Sequence, residues 1–384
     1  DQAILKNKII ILSALLISAS VVWGQCDFNS DGQLDYLDID GEVNCILENC
    51  PDGSQCDLNG DGQMDLAVGA KEYEPGSVAN VGAVFVFFGP LTDAAISAAN
   101  APLTIIGPGR SELAGASLAA GDLNDDGILD LAIGAPKSPN GDLAATGAVH
   151  ILYGPFQPGN ININDEADAA VLGPLQSELT GMGVAIGDLN NDGTPDLAIG
   201  STKAGRPVVG EVAIVFGPMG SGPMQLSDIT GLVITGTVKG EEVGDALSIG
   251  DIDGDGNNDL VVGASGAGFG TMWIRGKNEL TMMSRMGVFY GPLTSSDEKI
   301  KFDDANYIVE APGTADSEYF GGAVGIGDVD GDGANDIAVG GMGIVAGSRI
   351  GAGQVSVIKG PLDRQQDAVP KIDTEADAHV AGEF

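Results

Sequence analysis

Asp57-Leu58-Asn59-Gly60-Asp61-Gly62-Gln63-Met64-Asp65 carries oxygen-bearing side chains at its first, third, fifth and ninth positions and glycine at its sixth. The pattern returns four times, beginning at Asp122, Asp188, Asp251 and Asp328, at intervals of 65, 66, 63 and 77 residues. Recurrence at such a period marks a repeat architecture, in which each unit buries its apolar surface against its neighbours.

The spacing suits a hard cation. Calcium takes about six to eight oxygens at roughly 2.3–2.6 Å and tolerates irregular geometry, so alternate side chains of one tight loop can converge on it. The second copy offers Asp122, Asn124, Asp126 and Asp130, and the third Asp188, Asn190, Asp192 and Asp196. The fourth offers Asp251, Asp253, Asp255 and Asp259, and the fifth Asp328, Asp330, Asp332 and Asp336. Position 7 is Gln63, Ile128, Thr194, Asn257 or Ala334, an indifference expected of a residue that contributes only its backbone carbonyl. Glycine at position 6 permits the positive φ of a sharp turn. The competing reading, that Asp, Asn and Gly merely make solvated turns, fits one loop better than five in a single register.

An EF-hand has a carboxylate at position 12 and a helix beyond it. Here position 12 is Val68, Ile133, Ile199, Val262 or Val339, inside apolar runs closed by glycine that read as strands. Each loop is therefore predicted to join the first two strands of a β-hairpin. Third strands end at Gly-Pro in every copy: Val84–Phe88, Val149–Tyr153, Val212–Phe216, Val288–Tyr290 and Val355–Lys359. Weaker fourth strands are Leu103–Ile106, Ala169–Leu172, Leu232–Ile234 and Tyr307–Val309. The nearly continuous apolar character of the third strands implies burial on both faces. Four-stranded antiparallel sheets stacked around an axis supply that environment, which makes the fold class all-β and the architecture a β-propeller. A solenoid is the rival, though its repeats are shorter. The first copy lacks an evident leading strand because 52–56 is polar, and a strand from beyond the C-terminus is the expected substitute.

Stretches such as Glu112-Leu-Ala-Gly-Ala-Ser-Leu-Ala-Ala-Gly-Asp122 and Tyr319-Phe-Gly-Gly-Ala-Val-Gly-Ile-Gly-Asp328 resemble FG-GAP repeats, the blades of integrin α-subunit propellers and of many secreted bacterial proteins. The resemblance runs over residues 57–384 and implies a propeller of about seven blades, five of them present here, with calcium in the hairpin between strands one and two. Only Ala135-Pro136 completes the Gly-Ala-Pro ending. No Arg-Gly-Asp and no inserted adhesion domain is found, so integrin-type ligand binding does not transfer.

Residues 1–24 read as an export signal: Lys6 and Lys8 precede the apolar stretch Ile9–Val22, and Val22-Trp-Gly24 offers a cleavage site. Fourteen residues are short for a span, which needs about twenty; an interfacial anchor helix is the alternative. Residues 25–56 hold all four cysteines, Cys26, Cys45, Cys50 and Cys56, an even set that suggests two disulfides with connectivity open, or zinc. The same segment contains Asp27, Asn29, Asp31, Asp35 and Asp38, followed by a predicted short helix over Tyr36–Leu47. It resembles a lone EF-hand or half a dockerin and is a sixth candidate calcium site.

Seventeen basic against 55 acidic residues give a net charge of −38. Seventeen aspartates occupy ligand positions in the five loops, and five calcium ions would offset ten charges. The remaining charge argues against nucleic acid or anionic membranes as partners, since phosphate binding relies on Lys and Arg. The connections between second and third strands vary in length and emerge at the end opposite the loops, where an extracellular protein or glycan partner is expected. The longest, Ser265–Arg285, contains Met272, Trp273, Ile274, Arg275, Met282 and Met283, types typical of interface cores; folding back into the central channel is the alternative. Catalysis has little support: His150 and His379 have no nucleophile beside them, and no phosphate loop or Gly-x-Ser-x-Gly occurs. The expectation is a secreted or surface, calcium-stabilised, non-enzymatic propeller for adhesion or recognition. The alternative is the non-catalytic module of a larger secreted hydrolase.

Overall fold

The computed structural model describes residues 25–26, 35–36, 45–47, 57–91, 97–205, 207–266, 284–295, 299–310, 320–341, 354–363 and 378–381. Five antiparallel sheets follow one another along the chain, each with consecutive strands side by side. Blade 2 is Ser117–Gly121, Asp130–Ala135, Ala148–Leu152 and Ala169–Leu172. Blade 3 is Thr180–Gly187, Asp196–Ser201, Glu211–Val215 and Leu232–Thr235. Blade 4 is Val243–Gly250, Asp259–Ala264, Arg285–Phe289 and Tyr307–Glu310. Blade 5 is Ala323–Gly327, Asp336–Gly341, Gln354–Ile358 and Ala378–Ala381. These are the blades of a β-propeller, as the repeat spacing predicts. The five Gly-Pro bonds that close the third strands are cis.

Blade 1 corrects an expectation. Its second to fourth strands are Leu66–Ala70, Ala83–Phe87 and Leu103–Ile106, and its leading position is filled by Cys45–Leu47, antiparallel to Leu66–Ala70. A segment of the cysteine-rich region therefore completes the first sheet, and no strand from elsewhere is needed. The predicted helix over 36–47 is also absent at its described ends, since Tyr36 pairs with Gln25 and Cys45 opens a strand. The pair Cys26–Asp35 has the register of Gly121–Asp130 and Gly187–Asp196, so the N-terminal acidic loop spans strands, as the blade loops do.

The second strands are buried along their whole length and the third strands nearly so, Glu211 being half-buried, whereas the fourth strands of blades 1 to 3 alternate buried and half-buried residues. Stacking explains both. Along the third strand of blade 2, Val149 and Ile151 join the apolar cluster shared with blade 3, while Leu152 joins the one shared with blade 1. Corresponding clusters lie between blades 3 and 4 and between blades 4 and 5. Burial at about 25 cal/mol per Å² of apolar surface makes these interfaces the main source of stability.

Glycine is required where blades touch. A methyl group on Gly69, Gly134, Gly200 or Gly263, each in a second strand, would overlap the carbonyl oxygen of Gly115, Gly181, Gly244 or Gly321 of the following blade. The partners have φ of +82°, +88°, +91° and +80°, a region that disfavours side chains.

Between its third and fourth strands, blade 2 sends Gly159–Asn162 to lie parallel on Leu103–Ile106, the outer edge of blade 1. Gly222–Gln225 of blade 3 does the same to blade 2, and Ile300–Lys301 of blade 4 to blade 3. Each of these excursions gives the preceding blade a fifth strand.

Candidate metal centre

Each acidic loop joins the first and second strands of its blade and is shaped by its own side chains. In the first, Asp57 Oδ1 accepts from the backbone N–H of Gly60 (2.7 Å) and Asp61 (3.0 Å), and Oδ2 from Gly62 (2.7 Å). Asn59 Oδ1 accepts from Asp61 N–H at 2.9 Å, and Asp61 Oδ1 from Gln63 N–H at 2.8 Å. Asp122, Asp188, Asp251 and Asp328 receive the position-5 and position-6 donors in their loops, and Asp251 and Asp328 the position-4 donor as well. Position 7, whether Ile128, Thr194, Asn257 or Ala334, donates its N–H to the position-5 carboxylate, which leaves its side chain free to vary. The sixth-position glycines have φ between +84° and +94°.

The ninth-position aspartates have a role that the ligand pattern alone did not suggest. Asp130 Oδ2 accepts from Leu123 N–H (2.8 Å) inside the loop, and Oδ1 accepts from Gly154 N–H (3.0 Å) at the Gly-Pro closing the third strand. Asp65, Asp196, Asp259 and Asp336 join the equivalent donors: Leu58 and Gly89, Leu189 and Gly217, Ile252 and Gly291, Val329 and Gly360. Burial pushes the carboxyls of Asp130 and Asp259 up to about 6, against the pull of those N–H donors.

The loops also bind the next blade. The carbonyl of loop position 2 accepts from the residue after each Gly-Pro of the following blade: Phe156 N–H to Leu58 (2.9 Å), Met219 to Leu123 (2.6 Å), Leu293 to Leu189 (2.7 Å) and Leu362 to Ile252 (3.0 Å). Anything that stiffens a loop therefore stiffens the junction between two blades.

A divalent cation fits this donor set. Two oxygens held by one ion at about 2.4 Å lie at most about 4.8 Å apart, and carboxylate oxygens of Asp251, Asp253 and Asp259 are within 4.8 Å of one another, as are those of Asp328, Asp330 and Asp332. In the first three loops Asn59, Asn124 and Asn190 take the third position, and their amides donate to Asp61, Asp126 and Asp192. Asp27, Asn29, Asp31 and Asp38, with Cys50 and Cys56, lie outside the described residues.

At the opposite rim the side-chain contacts of blades 2 and 4 differ. Glu112 takes the Ser138 hydroxyl at 2.5 Å, and Glu242 pairs with Lys203. Arg285, expected in an exposed recognition loop, is instead 5 % exposed at the start of a third strand. Its guanidinium pairs with buried Glu241 and, at 2.8 Å, with Asp303, and lies 5.0 Å from the centre of the Phe302 ring. Glu241 comes from the connection that leads into the first strand of blade 4, and Asp303 from the turn that follows its excursion Ile300–Lys301. Met272, Trp273 and Arg275 lie outside the described residues.

His150 is buried in the third strand of blade 2, and its Nε2 has no hydrogen-bond partner. Burial lowers its pKa to about 4, so the ring is neutral and packs as an apolar group would. Among the described residues no helix is long and apolar enough to cross a membrane.

A family model described as FG-GAP repeat matches residues 52–87, 114–152, 180–215 and 243–277. The copy beginning at Asp328 lies outside these matches. The chain is 31 % identical over 208 residues to rat phosphatidylinositol-glycan-specific phospholipase D, covering 53 % of this chain and 23 % of that protein. It is 31 % identical over 201 residues to integrin alpha-PS5 of Drosophila melanogaster, covering 50 % and 18 %. With mouse integrin alpha-IIb the identity is 32 % over 159 residues, covering 40 % and 15 %. The chain thus spans less than a quarter of the length of each relative.

Proposed function

Because the chain carries FG-GAP repeats folded as blades of a β-propeller, we propose that it is an exported, calcium-braced scaffold that recognises an extracellular protein or glycan. The observation that carries this reading is the convergence of the carboxylates of Asp251, Asp253 and Asp259 on a space one divalent ion spans. When bound, calcium supplies positive charge that offsets the mutual repulsion of those carboxylates. The chain's own residues do the rest. Position-1, -3 and -5 side chains hold the turn, the ninth aspartate fixes it to the third strand, and the second-position carbonyl fixes it to the next blade.

Recognition is assigned to the connections between second and third strands, including the one that contains Met272, Trp273 and Arg275. The FG-GAP repeats and the similarity to integrin α chains support an extracellular propeller, and adhesion is one form such recognition would take. Export through residues 1–24 and two disulfides among Cys26, Cys45, Cys50 and Cys56 complete this reading.

A second reading has its own support. Similarity to a phosphatidylinositol-glycan-specific phospholipase D is confined to part of that enzyme, which favours a propeller module serving a larger secreted hydrolase.

The test is a glycan and protein array run in millimolar calcium and again in chelator, beside thermal unfolding in both buffers. The scaffold reading expects a calcium-dependent ligand and a higher Tm with calcium. A Tm indifferent to chelator would sink it, and phosphodiesterase activity co-purifying with the protein from its own cells would favour the hydrolase module.

A further inference from the structure

Position 8 of the acidic loops stands between two ligand positions, and its chemistry changes from blade to blade. It is Leu129 in the second loop and Pro195 in the third, then Asn258 in the fourth and Asn335 in the fifth. Leu129 packs against the apolar cluster shared by blades 1 and 2. Asparagine carries a side-chain donor that leucine and proline lack. Asn258 Nδ2 donates to the backbone carbonyl of Asp188 at 3.1 Å, and Asn335 Nδ2 to that of Asp251 at 2.9 Å. Both acceptors are the first residue of the loop in the preceding blade. The third and fourth loops are thus tied directly to one another, as are the fourth and fifth.

All four junctions between consecutive blades share the bond from the residue after Gly-Pro to the second-position carbonyl, so that bond does not distinguish them. The asparagine bonds join ligand-bearing stretches at both ends. At the acceptor end, the Asp188 carboxylate gathers the N–H groups of Asp192 and Gly193, and the Asp251 carboxylate those of Gly254, Asp255 and Gly256. At the donor end, Asn258 and Asn335 immediately precede Asp259 and Asp336, the ninth-position carboxylates pinned between loop and third strand. Whatever fixes either loop fixes one end of the bond.

Resting on the calcium reading above, we infer that the third, fourth and fifth loops bind calcium as a linked set through Asn258 and Asn335, whereas the second loop fills independently of its neighbours. An ion in the fourth loop orders Asn258 and Asp251 together, so the loops on both sides have less left to order when their own ions arrive. Linkage makes the effect mutual: each loop raises the affinity of its neighbour by the factor it receives in return. A single neutral hydrogen bond to a carbonyl limits that factor to about two- to tenfold. Blades 3 to 5 then lose calcium together over a narrow range as its concentration falls, and blade 2 loses it on its own schedule.

Hydrogen exchange with mass spectrometry on the full chain, run across a calcium series, gives a midpoint of protection for each hairpin. The fifth position is removed from one loop at a time, by Asp255→Ala in the fourth and Asp126→Ala in the second. The expected result is that Asp255→Ala raises the midpoints of the third and fifth loops about two- to tenfold, while Asp126→Ala moves those of the first and third by less than about twofold. Asn258→Leu, which alters no ligand position and brings in the residue type of the second loop, should raise the midpoint of the third loop. It should also abolish that loop's response to Asp255→Ala and leave the fifth loop responding through Asn335. Midpoints of the third and fifth loops indifferent to Asp255→Ala overturn the inference alone. So does an equal response of the first and third loops to Asp126→Ala, or a third loop unmoved by Asn258→Leu. Exchange that ignores calcium in every hairpin overturns it together with the calcium reading.

Discussion

At the hairpin rim, Asp65, Asp130, Asp196, Asp259 and Asp336 meet the same two backbone donors in all five blades. At the opposite rim, Glu112 takes a serine hydroxyl, Glu242 a lysine and Glu241 an arginine, each from a different element. The first rim is fixed by backbone geometry: the donors are main-chain N–H groups that no substitution can move, so only one acceptor shape serves. The second repeats backbone bonds too, Gly107, Gly173 and Gly236 donating to the carbonyls of Gly82, Gly147 and Gly210, but adds side-chain contacts whose chemistry changes from place to place. Repetition therefore marks where the scaffold is held, and variation marks where it is free to acquire a surface.

The largest effect expected from that contrast is in local opening. Chelation should speed amide exchange in the five hairpins about a hundredfold while leaving the 71–80 and 137–146 connections within about threefold. Hydrogen exchange with mass spectrometry checks it, and uniform acceleration over both rims would erase the distinction. Next in size, Arg285→Ala should cost about 3–5 kcal/mol in urea unfolding, because Glu241 is left buried and uncompensated. Pairing it as Arg285→Met with Glu241→Gln should restore more than half. Failure to restore would mean that this rim is as fixed as the other.

Between the rims, His150 gives a pH dependence of definite sign. Its folded pKa is lowered to about 4 from the ordinary 6.5, so the unfolded chain takes up a proton that the native chain resists. Stability is thus unaffected above pH about 6.5 and falls as pH drops from there toward 4, by about 2–3 kcal/mol between pH 7.5 and 4.5. His150→Phe, the residue type that Phe85 places at the same strand position in blade 1, should remove that share of the slope in paired urea titrations. The smallest effect is at the hairpin rim with metal absent. In chelator, Asp130→Asn should cost about 1–2 kcal/mol, since an amide can accept only one of the two N–H bonds that the carboxylate takes. No loss would mean that the ninth aspartate matters to the cation alone.

Much of this was legible in the chain. Five loops in one register gave the hairpins, the blade count within the chain and the strands that flank each loop, because both calcium-type spacing and strand periodicity are local. The double duty of the ninth aspartate was not legible, since its Gly-Pro partner follows at 24, 24, 21, 32 and 24 residues, a separation blurred by the connections in between. Cys45–Leu47 escaped notice because three residues carry no period, and only pairing with Leu66–Ala70 makes them a strand. Arg285 looked exposed because its partners, Glu241 and Asp303, come from different connections. The parallel strands Gly159–Asn162 and Gly222–Gln225 are half-exposed and polar, so nothing in their composition distinguishes them from loop.

Those outlying strands give the molecule a direction. Blade 1 receives its fifth strand only once blade 2 exists, and blade 2 only once blade 3 does. As the polypeptide leaves the ribosome, the newest sheet is always the one whose rim of backbone groups stands open to passing chains. Shortening the protein from its C-terminal side uncovers a sheet that was sealed, whereas loss from the other end takes away the sealed sheet itself.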